Sequence, residues 1–426
     1  MEDSMKIFAL VLFVLMYVLM IVKPKYRPFY ALAVAGAFLI SGVLPLGNLL
    51  SAINWNVLMM ISGTMVIVYY FIDSQMPNLL ADILLKKSKN VMWVTILMSL
   101  FSGLISAFID NVATVLMVAP VAMAVCKKLK TDPVNMIISI AVSSNLQGAA
   151  TLVGDTTSIM LGDYANMSFI DFFWMRGRPG IFFAVELGAL ATVLIMMILF
   201  RKDKAPVSSN ERTVVKDYVP TVMLLLMVAA LIAASFIPEA PSGINGIICC
   251  ALAFITMILG SIRKRNMKDA ISAVKALDFE TLGLLLGLFI VIGGLTNVGI
   301  IDDFANLIVK NGSQSVFLLY TIIVWGSVII SAFVDNIPYV ATMLPVLTTV
   351  TNTLGIEPYL LYFGLLSGAT LGGNITPIGA SANIAAVGML KKEGYDVSFK
   401  KFMRIGVPYT LAAVLVGYVF IWLVWS

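Results

Sequence analysis

The sequence predicts an all-α polytopic membrane protein. It should have about ten transmembrane helices plus two re-entrant hairpins, in two inverted-topology repeats with broken helices at the midplane. Three observations lead there. The chain is 60% hydrophobic and only 12% charged, with a mean hydropathy of +0.98, more apolar surface than a water-soluble domain can bury. The segment Ser106-Ala-Phe-Ile-Asp-Asn-Val-Ala-Thr-Val-Leu-Met-Val-Ala-Pro120 returns 225 residues later as Ser331-Ala-Phe-Val-Asp-Asn-Ile-Pro-Tyr-Val-Ala-Thr-Met-Leu-Pro345, with seven identical positions. Finally, the basic residues cluster between apolar stretches in a way that fixes which stretches cross the bilayer.

Stretches of spanning length lie near 5–22, 27–45, 54–72, 134–161, 179–200, 218–236, 243–262, 280–297, 358–390 and 402–424. Two others, 91–127 and 315–354, are too long for one straight helix, and each carries Asp-Asn at its centre. With the N-terminus outside and both long stretches folded back as hairpins, every Lys and Arg falls inside except Lys6, Arg176, Arg178 and Lys310. Full crossings would move the clusters at 201–217 and 263–275 outside while 391–404 stayed inside. The positive-inside rule therefore selects the hairpins. Both termini are then expected outside, in a multi-pass protein of the cell membrane.

The repeat extends beyond its first motif. Gly148-Ala-Ala-Thr151-Leu-Val-Gly154-Asp155-Thr-Thr-Ser158 pairs at the same offset with Gly373-Asn-Ile-Thr376-Pro-Ile-Gly379-Ala380-Ser-Ala-Asn383. Residues 1–200 form the first repeat, with hairpin 91–127 and broken helix 134–161. Residues 201–217 form a cytoplasmic linker, and 218–426 the second repeat, with hairpin 315–354 and broken helix 358–390. Each half crosses an odd number of times, so the halves lie upside down to one another. That is the plan of secondary transporters, whose sites sit where the repeats meet.

Composition also excludes. The net charge of +5 sits in short runs between spans, so no nucleic-acid partner is expected. Cys126, Cys249 and Cys250 have neither disulfide nor zinc spacing. The absence of histidine leaves proton chemistry to carboxylates. No phosphate-binding loop is present for an ATP-driven pump. Met5–Val22 ends in Lys-Pro-Lys-Tyr-Arg without a small-residue cleavage site, so it reads as a retained span rather than a signal peptide.

A carboxylate deep in an apolar span is costly, which makes it a functional candidate. Asp110, Asn111, Asp335, Asn336 and Asp155 are the candidate coupling-ion residues. The Gly-, Thr- and Ser-rich breaks, with neighbouring polar groups, supply candidate substrate residues: Asn145, Thr151, Gly154, Thr156, Ser158, Thr376, Gly379, Ser381 and Asn383. Broken backbone at membrane depth frees N–H and carbonyl groups for ions. Plainer roles stand beside these: glycines for close helix packing, hydroxyls bonded to their own backbone, and Asn145 and Asn374 as helix ties. Glu186, alone in span 179–200, has no counterpart in the second half. On this assignment the interior holds only acids, which suits Na+ or H+ and no other metal. Asp155 faces Ala380 across the repeat, so two cation sites would be unequal.

These four motifs resemble the ArsB/NhaD permease family of the ion transporter superfamily. That family contains arsenite permeases, NhaD-type antiporters and P-protein-like members, with dicarboxylate and citrate carriers more distant. The resemblance covers essentially the whole chain. It implies a carrier driven by an ion gradient and, from the dicarboxylate members, an elevator-like homodimer. Gly154-Asp-Thr-Thr-Ser158 departs from the Gly-Asp-Pro-Pro-Asn of P-protein-like members, and the Asp-Asn tips depart from the Ser-Asn-Thr of dicarboxylate carriers. The function expected is a secondary active transporter exchanging H+ or Na+ for an inorganic ion or small oxyacid, arsenite/antimonite efflux leading. Na+/H+ antiport or a cation-coupled anion carrier is the alternative. No enzyme activity and no cofactor beyond the coupling ion are expected. An intramembrane aspartyl protease, which also needs two buried Asp, fits poorly with an Asn after each and an inverted duplication. A passive channel has no need of the two-hairpin plan.

Overall fold

A computed structural model describes residues 2–207, 213–237, 241, 243–264, 268–312 and 315–426. Residues 208–212 of the expected linker, and Arg265 of the basic clusters, lie outside the described residues.

The first half begins with α1 (Glu2–Val22), α2 (Arg27–Ser41), the short α3 (Leu49–Ala52) and α4 (Trp55–Asp73). Gly42 stops α2 at φ 77°, a left-handed turn that suits a residue without Cβ. Then come α5 (Met76–Lys87), α6 (Val91–Ser106), α7 (Asn111–Leu129), α8 (Val134–Gly148) and α9 (Thr156–Tyr164). A two-stranded hairpin, β1 (Trp174–Met175) with β2 (Arg178–Pro179), leads into α10 (Ile181–Leu199). The second half holds α11 (Val219–Ala234), α12 (Ile244–Lys264), α13 (Lys268–Lys275), α14 (Phe279–Asn297) and α15 (Ile300–Gly312). It closes with α16 (Val316–Ser331), α17 (Asn336–Leu354), α18 (Tyr359–Gly372), α19 (Ser381–Lys392) and α20 (Phe399–Trp425).

The halves match down to individual hydrogen bonds. The hairpin legs α6/α7 and α16/α17 each turn through an Asp that caps the returning helix. Asp110 Oδ1 accepts from Val112 N and Ala113 N at 3.0 Å each, and Asp335 Oδ1 from Ile337 N at 3.1 Å. A side-chain oxygen is the usual partner for such otherwise unpaired N–H groups. The expected breaks fall between α8 and α9 and between α18 and α19. Thr151 Oγ1 donates to Ala107 O and Thr376 Oγ1 to Ala332 O, 225 residues apart on both ends. A Cβ on Gly154 would meet Gly148 O, Ser106 O and Ala107 O; one on Gly379 would meet Gly373 O, Ser331 O and Ala332 O. Each break is therefore pinned against its own hairpin, and only glycine allows so close an approach.

Surface ion pairs keep to two separate sets. Lys127–Glu393, Lys401–Asp132, Arg263–Asp217 and Lys264–Asp73 join charges from the loops that the positive-inside count groups with the linker. Lys6–Asp303 and Arg176–Glu357 join charges from the loops grouped opposite. The base of hairpin 1 belongs to the linker set, since Asn90 bridges Pro206. Seven described helices are long and apolar enough to cross a bilayer alone, α7 among them, yet these contacts return α7 to the face from which α6 starts.

Two bundles result. A frame bundle groups α1, α2, α4, α11, α12 and α14; a core bundle groups α6–α10 with α16–α20. Within the core, α8 and α18 are buried almost throughout. The helices α5, α13 and α15 differ from expectation, which left these stretches as loops. They are too polar to read as spans, and α15 presents Asp302, Asp303 and Lys310 along one helix. The pair α5 and α15, 225 residues apart, braces the two hairpins from outside the core.

Candidate functional site

The hairpin tips and breaks meet at Asp155, which is 2% exposed. Unlike the two tip carboxylates, Asp155 precedes its helix without capping it through its side chain, so its oxygens stay free for other partners. Thr157 Oγ1, the second residue of α9, donates to Oδ2 at 2.8 Å. Asn111 Nδ2 from hairpin 1 approaches Oδ1 at 3.4 Å, and Asn336 Nδ2 from hairpin 2 approaches Oδ2 at 3.5 Å. All three partners are neutral, and the two amide contacts are long. A carboxylate so buried and so weakly satisfied is unfavourable until a proton or cation joins it.

A chain of amides links this group to the other repeat. Asn111 Nδ2 donates to Asn145 Oδ1 at 2.9 Å. Asn145 Nδ2 donates to Thr370 O at 2.8 Å and Asn374 Oδ1 at 3.1 Å, and Asn374 Nδ2 to Val142 O at 2.9 Å. Thr157 and Thr370 hydroxyls lie 3.1 Å apart. A hydroxyl carries one hydrogen, so Thr157, donating to Asp155, accepts from Thr370. Asn145 and Thr370 occupy equivalent positions, and α8 crosses α18 there.

The two tip aspartates differ. Asp335 Oδ2 receives Arg27 Nη1 at 2.7 Å and Ser381 Oγ at 3.0 Å. Asp110 is half-buried and has no ion pair among the described residues. The expected acid-only interior is thus corrected: Arg27, counted with the basic loop, is 9% exposed and bonded to a hairpin tip. It opens α2 directly after the Pro24–Tyr26 turn, which directs it inward rather than to water.

Of the candidate residues, Asp155, Asn111, Asn336 and Asn145 come together, and Ser381 joins Asp335. Thr156 is buried beside Asp155 in the first turn of α9. Thr151, Gly154, Thr376 and Gly379 hold the breaks against the hairpins. Ser158 Oγ donates to Gly148 O at 3.4 Å, and Asn383 Nδ2 to Gly373 O at 3.0 Å, so both close the breaks on themselves. Glu186 lies on α10 with Oε1 buried and unpartnered, outside the network at Asp155. The sequence reading missed Thr157, Thr370 and Arg27. Thr157 sits inside the singled-out Gly-Asp-Thr-Thr-Ser motif and Thr370 at the repeat offset from Asn145; nothing local marks Arg27.

Above the site lies a cavity of about 860 Å³, lined in part by Asn48, Asn54, Asp163, Phe289, Asn297 and Leu344. It opens on the side opposite the linker. Its core-bundle wall is made by Met160, Asp163 and Tyr164 of α9 and by Ala341, Leu344 and Pro345 of α17; the far end of α9 lies about 13 Å from Asp155 along that nine-residue helix. Asp163 is held there by the amides of Asn54 and Asn56 from the frame bundle.

The profile of the CitMHS family, described as citrate transporter, matches residues 17–366. The chain belongs to that family. It is therefore a membrane transporter of the superfamily expected; the match is to the citrate-transporter profile and does not single out the ArsB/NhaD branch. A relative from Mycobacterium leprae, a 46 kDa membrane protein, is 31% identical over 88% of this chain and 87% of its own. An uncharacterized transporter of Mycobacterium tuberculosis is 28% identical over 98% of both chains. The P protein of Homo sapiens is 24% identical over 94% of this chain, which spans 58% of that longer protein. Among solved structures, the YdaH transporter of Alcanivorax borkumensis has a TM-score of 0.64 at 15% identity, covering 90% of this chain and 87% of its own. That likeness concerns the fold alone.

Proposed function

We propose that this CitMHS-family protein is a secondary active carrier that binds H+ or Na+ at Asp155 and exchanges it for a small inorganic ion or oxyacid. The observation that carries the reading is the buried Asp155 carboxylate, approached by tips from both repeats and neutralised by neither. Asp155 and Thr157 offer oxygen ligands directly. Asn111 and Asn336 offer more by rotating their amides, whose oxygen and nitrogen ends are interchangeable by a half-turn. A carboxylate in this position binds Na+ or a proton but not both, which couples one flux to another.

The charge of the interior limits the cargo. Asp110, Asp155 and Asp335 outnumber Arg27, and Arg27 is engaged. A cation, a neutral weak acid such as arsenite or antimonite, or an anion entering with its own cations fits this lining; a bare polyanion does not. Arsenite/antimonite exchange is the leading cargo and Na+/H+ antiport the alternative. The family's name adds a second reading, citrate, which on these charges would travel as a cation complex.

The test is flux in proteoliposomes with a pH-sensitive dye inside. Arsenite, Na+, citrate and citrate with a divalent cation are offered in turn to wild type and Asp155→Asn. The wild type should move protons with one of these cargoes, and Asp155→Asn should lose that coupling. Gradient-driven accumulation that survives in Asp155→Asn would refute the role of Asp155.

A further inference from the structure

Among the described residues the frame and core bundles touch through few polar contacts, at the far end of α9 and at the tip of hairpin 2. Asn54 and Asn56 hold Asp163 at the far end of α9. Tyr17 Oη on α1 donates to Pro338 O at 2.7 Å and lies 2.7 Å from Thr342 Oγ1 on α17. Arg27 on α2 holds Asp335 at the tip of hairpin 2. Among the described residues, only the last is an ion pair. Both partners are nearly removed from water, their side chains 11% and 2% exposed, so neither separates without a replacement for the other.

The repeat shows that this pair is an addition to the common plan. Asp110 has the same cap geometry as Asp335 and no ion pair among the described residues. The hairpin therefore does not need a guanidinium to fold. Asp335 also sits in a cation-ready setting: Ser381 Oγ is 3.0 Å from Oδ2, and Asn336 beside it reaches Asp155. Arg27 occupies the place where a dissolved cation would bind.

We propose that Arg27 is a tethered competitor for the coupling ion, which holds hairpin 2 to the frame bundle until a cation from solution replaces it at Asp335. This rests on the carrier reading above and deepens it, adding a second cation position that is filled by the protein itself. With Asp335 ionised and no cation bound, the ion pair locks core to frame. With H+ or Na+ on Asp335, the attraction for Arg27 is lost and the core bundle is released. The empty carrier is thereby kept from moving, which is what coupled exchange needs. The charged and polar groups facing Asp335 are Arg27 from α2, Asp155 from the segment before α9, and the Ser381 hydroxyl from α19. Among the described residues, Arg27 alone of these is cationic.

The experiment is thermal unfolding of the full-length purified protein, followed by tryptophan fluorescence. NaCl is titrated against choline chloride at constant ionic strength, at two pH values. Arg27→Gln should unfold at a lower temperature in choline and be restored by Na+ or acid. Its half-saturating cation concentration should lie on the order of tenfold below the wild-type value, because the competing closed state is gone. Arg27→Lys, which keeps the charge with one donor point instead of a fork, should fall between and serves if Arg27→Gln does not fold. Arg27→Gln/Asp335→Asn should regain stability in choline and lose the extra cation response. Unchanged cation dependence in both Arg27 variants overturns the proposal. Asp155→Asn separates the two readings: if it leaves the wild-type response intact, the Asp155 reading fails. An Asp335-dependent gain in Arg27→Gln would still support the competitor.

Discussion

Alanine at Gly154 and at Gly379 tests whether each break must press against its hairpin. An added Cβ on Gly154 would lie 2.5 Å from Gly148 O, 2.7 Å from Ser106 O and 2.8 Å from Ala107 O; on Gly379 the corresponding carbonyls lie at 2.6, 2.8 and 2.8 Å. Ordinary contact begins near 3.4 Å, so each carbonyl must retreat by roughly 0.6 to 0.9 Å, an overpacking that costs about 1–3 kcal/mol. The same shift loosens the Thr151 bond to Ala107 O, or Thr376 to Ala332 O, for about 1 kcal/mol more. Each variant should lose about 2–4 kcal/mol, a fall of several degrees in Tm in a chain of this size. The two values should agree within the error of measurement. Gly326 in α16 and Gly388 in α19 have no neighbour within 4 Å, so alanine there should be neutral or stabilise by up to about 1 kcal/mol. The assay is unfolding of the four purified variants in one detergent. If Gly154→Ala and Gly379→Ala unfold like Gly326→Ala, or only one of the two is damaged, the equivalence of the breaks is wrong.

Two further substitutions probe the groups on either side of the site. Asn145→Leu strands the Asn111 amide, Asn374 Oδ1 and Thr370 O, at about 1–3 kcal/mol for an unmade buried bond. Tm should fall and cation affinity should weaken with it, since Asn111 loses the partner that orients it toward Asp155. A variant with lowered Tm but wild-type cation affinity would confine Asn145 to structure. Glu186→Leu removes a half-buried carboxylate whose Oε1 has no partner. Its Tm should hold or rise, and dye-reported proton flux should persist; loss of flux at unchanged Tm would make Glu186 a proton carrier instead.

Much of the fold was legible because lipid is a strict solvent. A span must be apolar for about 20 residues and must satisfy its own backbone, so the crossings, the two hairpins and the breaks at Gly148–Asp155 and Gly373–Ala380 stand out in one sequence. The repeat offset did the rest, since a duplicated Asp-Asn in apolar context is hard to place by accident. The amphipathic α5 and α15 escaped for the same reason, being too polar to meet a rule about spans.

Most of the polar residues that gather at the hairpin tips and breaks were legible, but not what each one bonds to. Thr151, Thr376, Ser158 and Asn383 are hydroxyls and amides in a glycine-rich break, a composition that serves an ion or a backbone carbonyl equally well. Only the packed structure shows them bonded to carbonyls of the hairpins and the breaks. Asp110 and Asp335 read alike along the chain, each followed by Asn and capping a helix. What distinguishes them is Arg27, 308 residues before Asp335 in sequence and placed by the turn at Pro24 and the packing of α2. Sequence by itself determined where the chain must cross, turn back and break, because those depend on local polarity and length. The tertiary structure decided which carboxylate is paired with a cation and which, Asp155, has only neutral partners, because that depends on what the fold brings together.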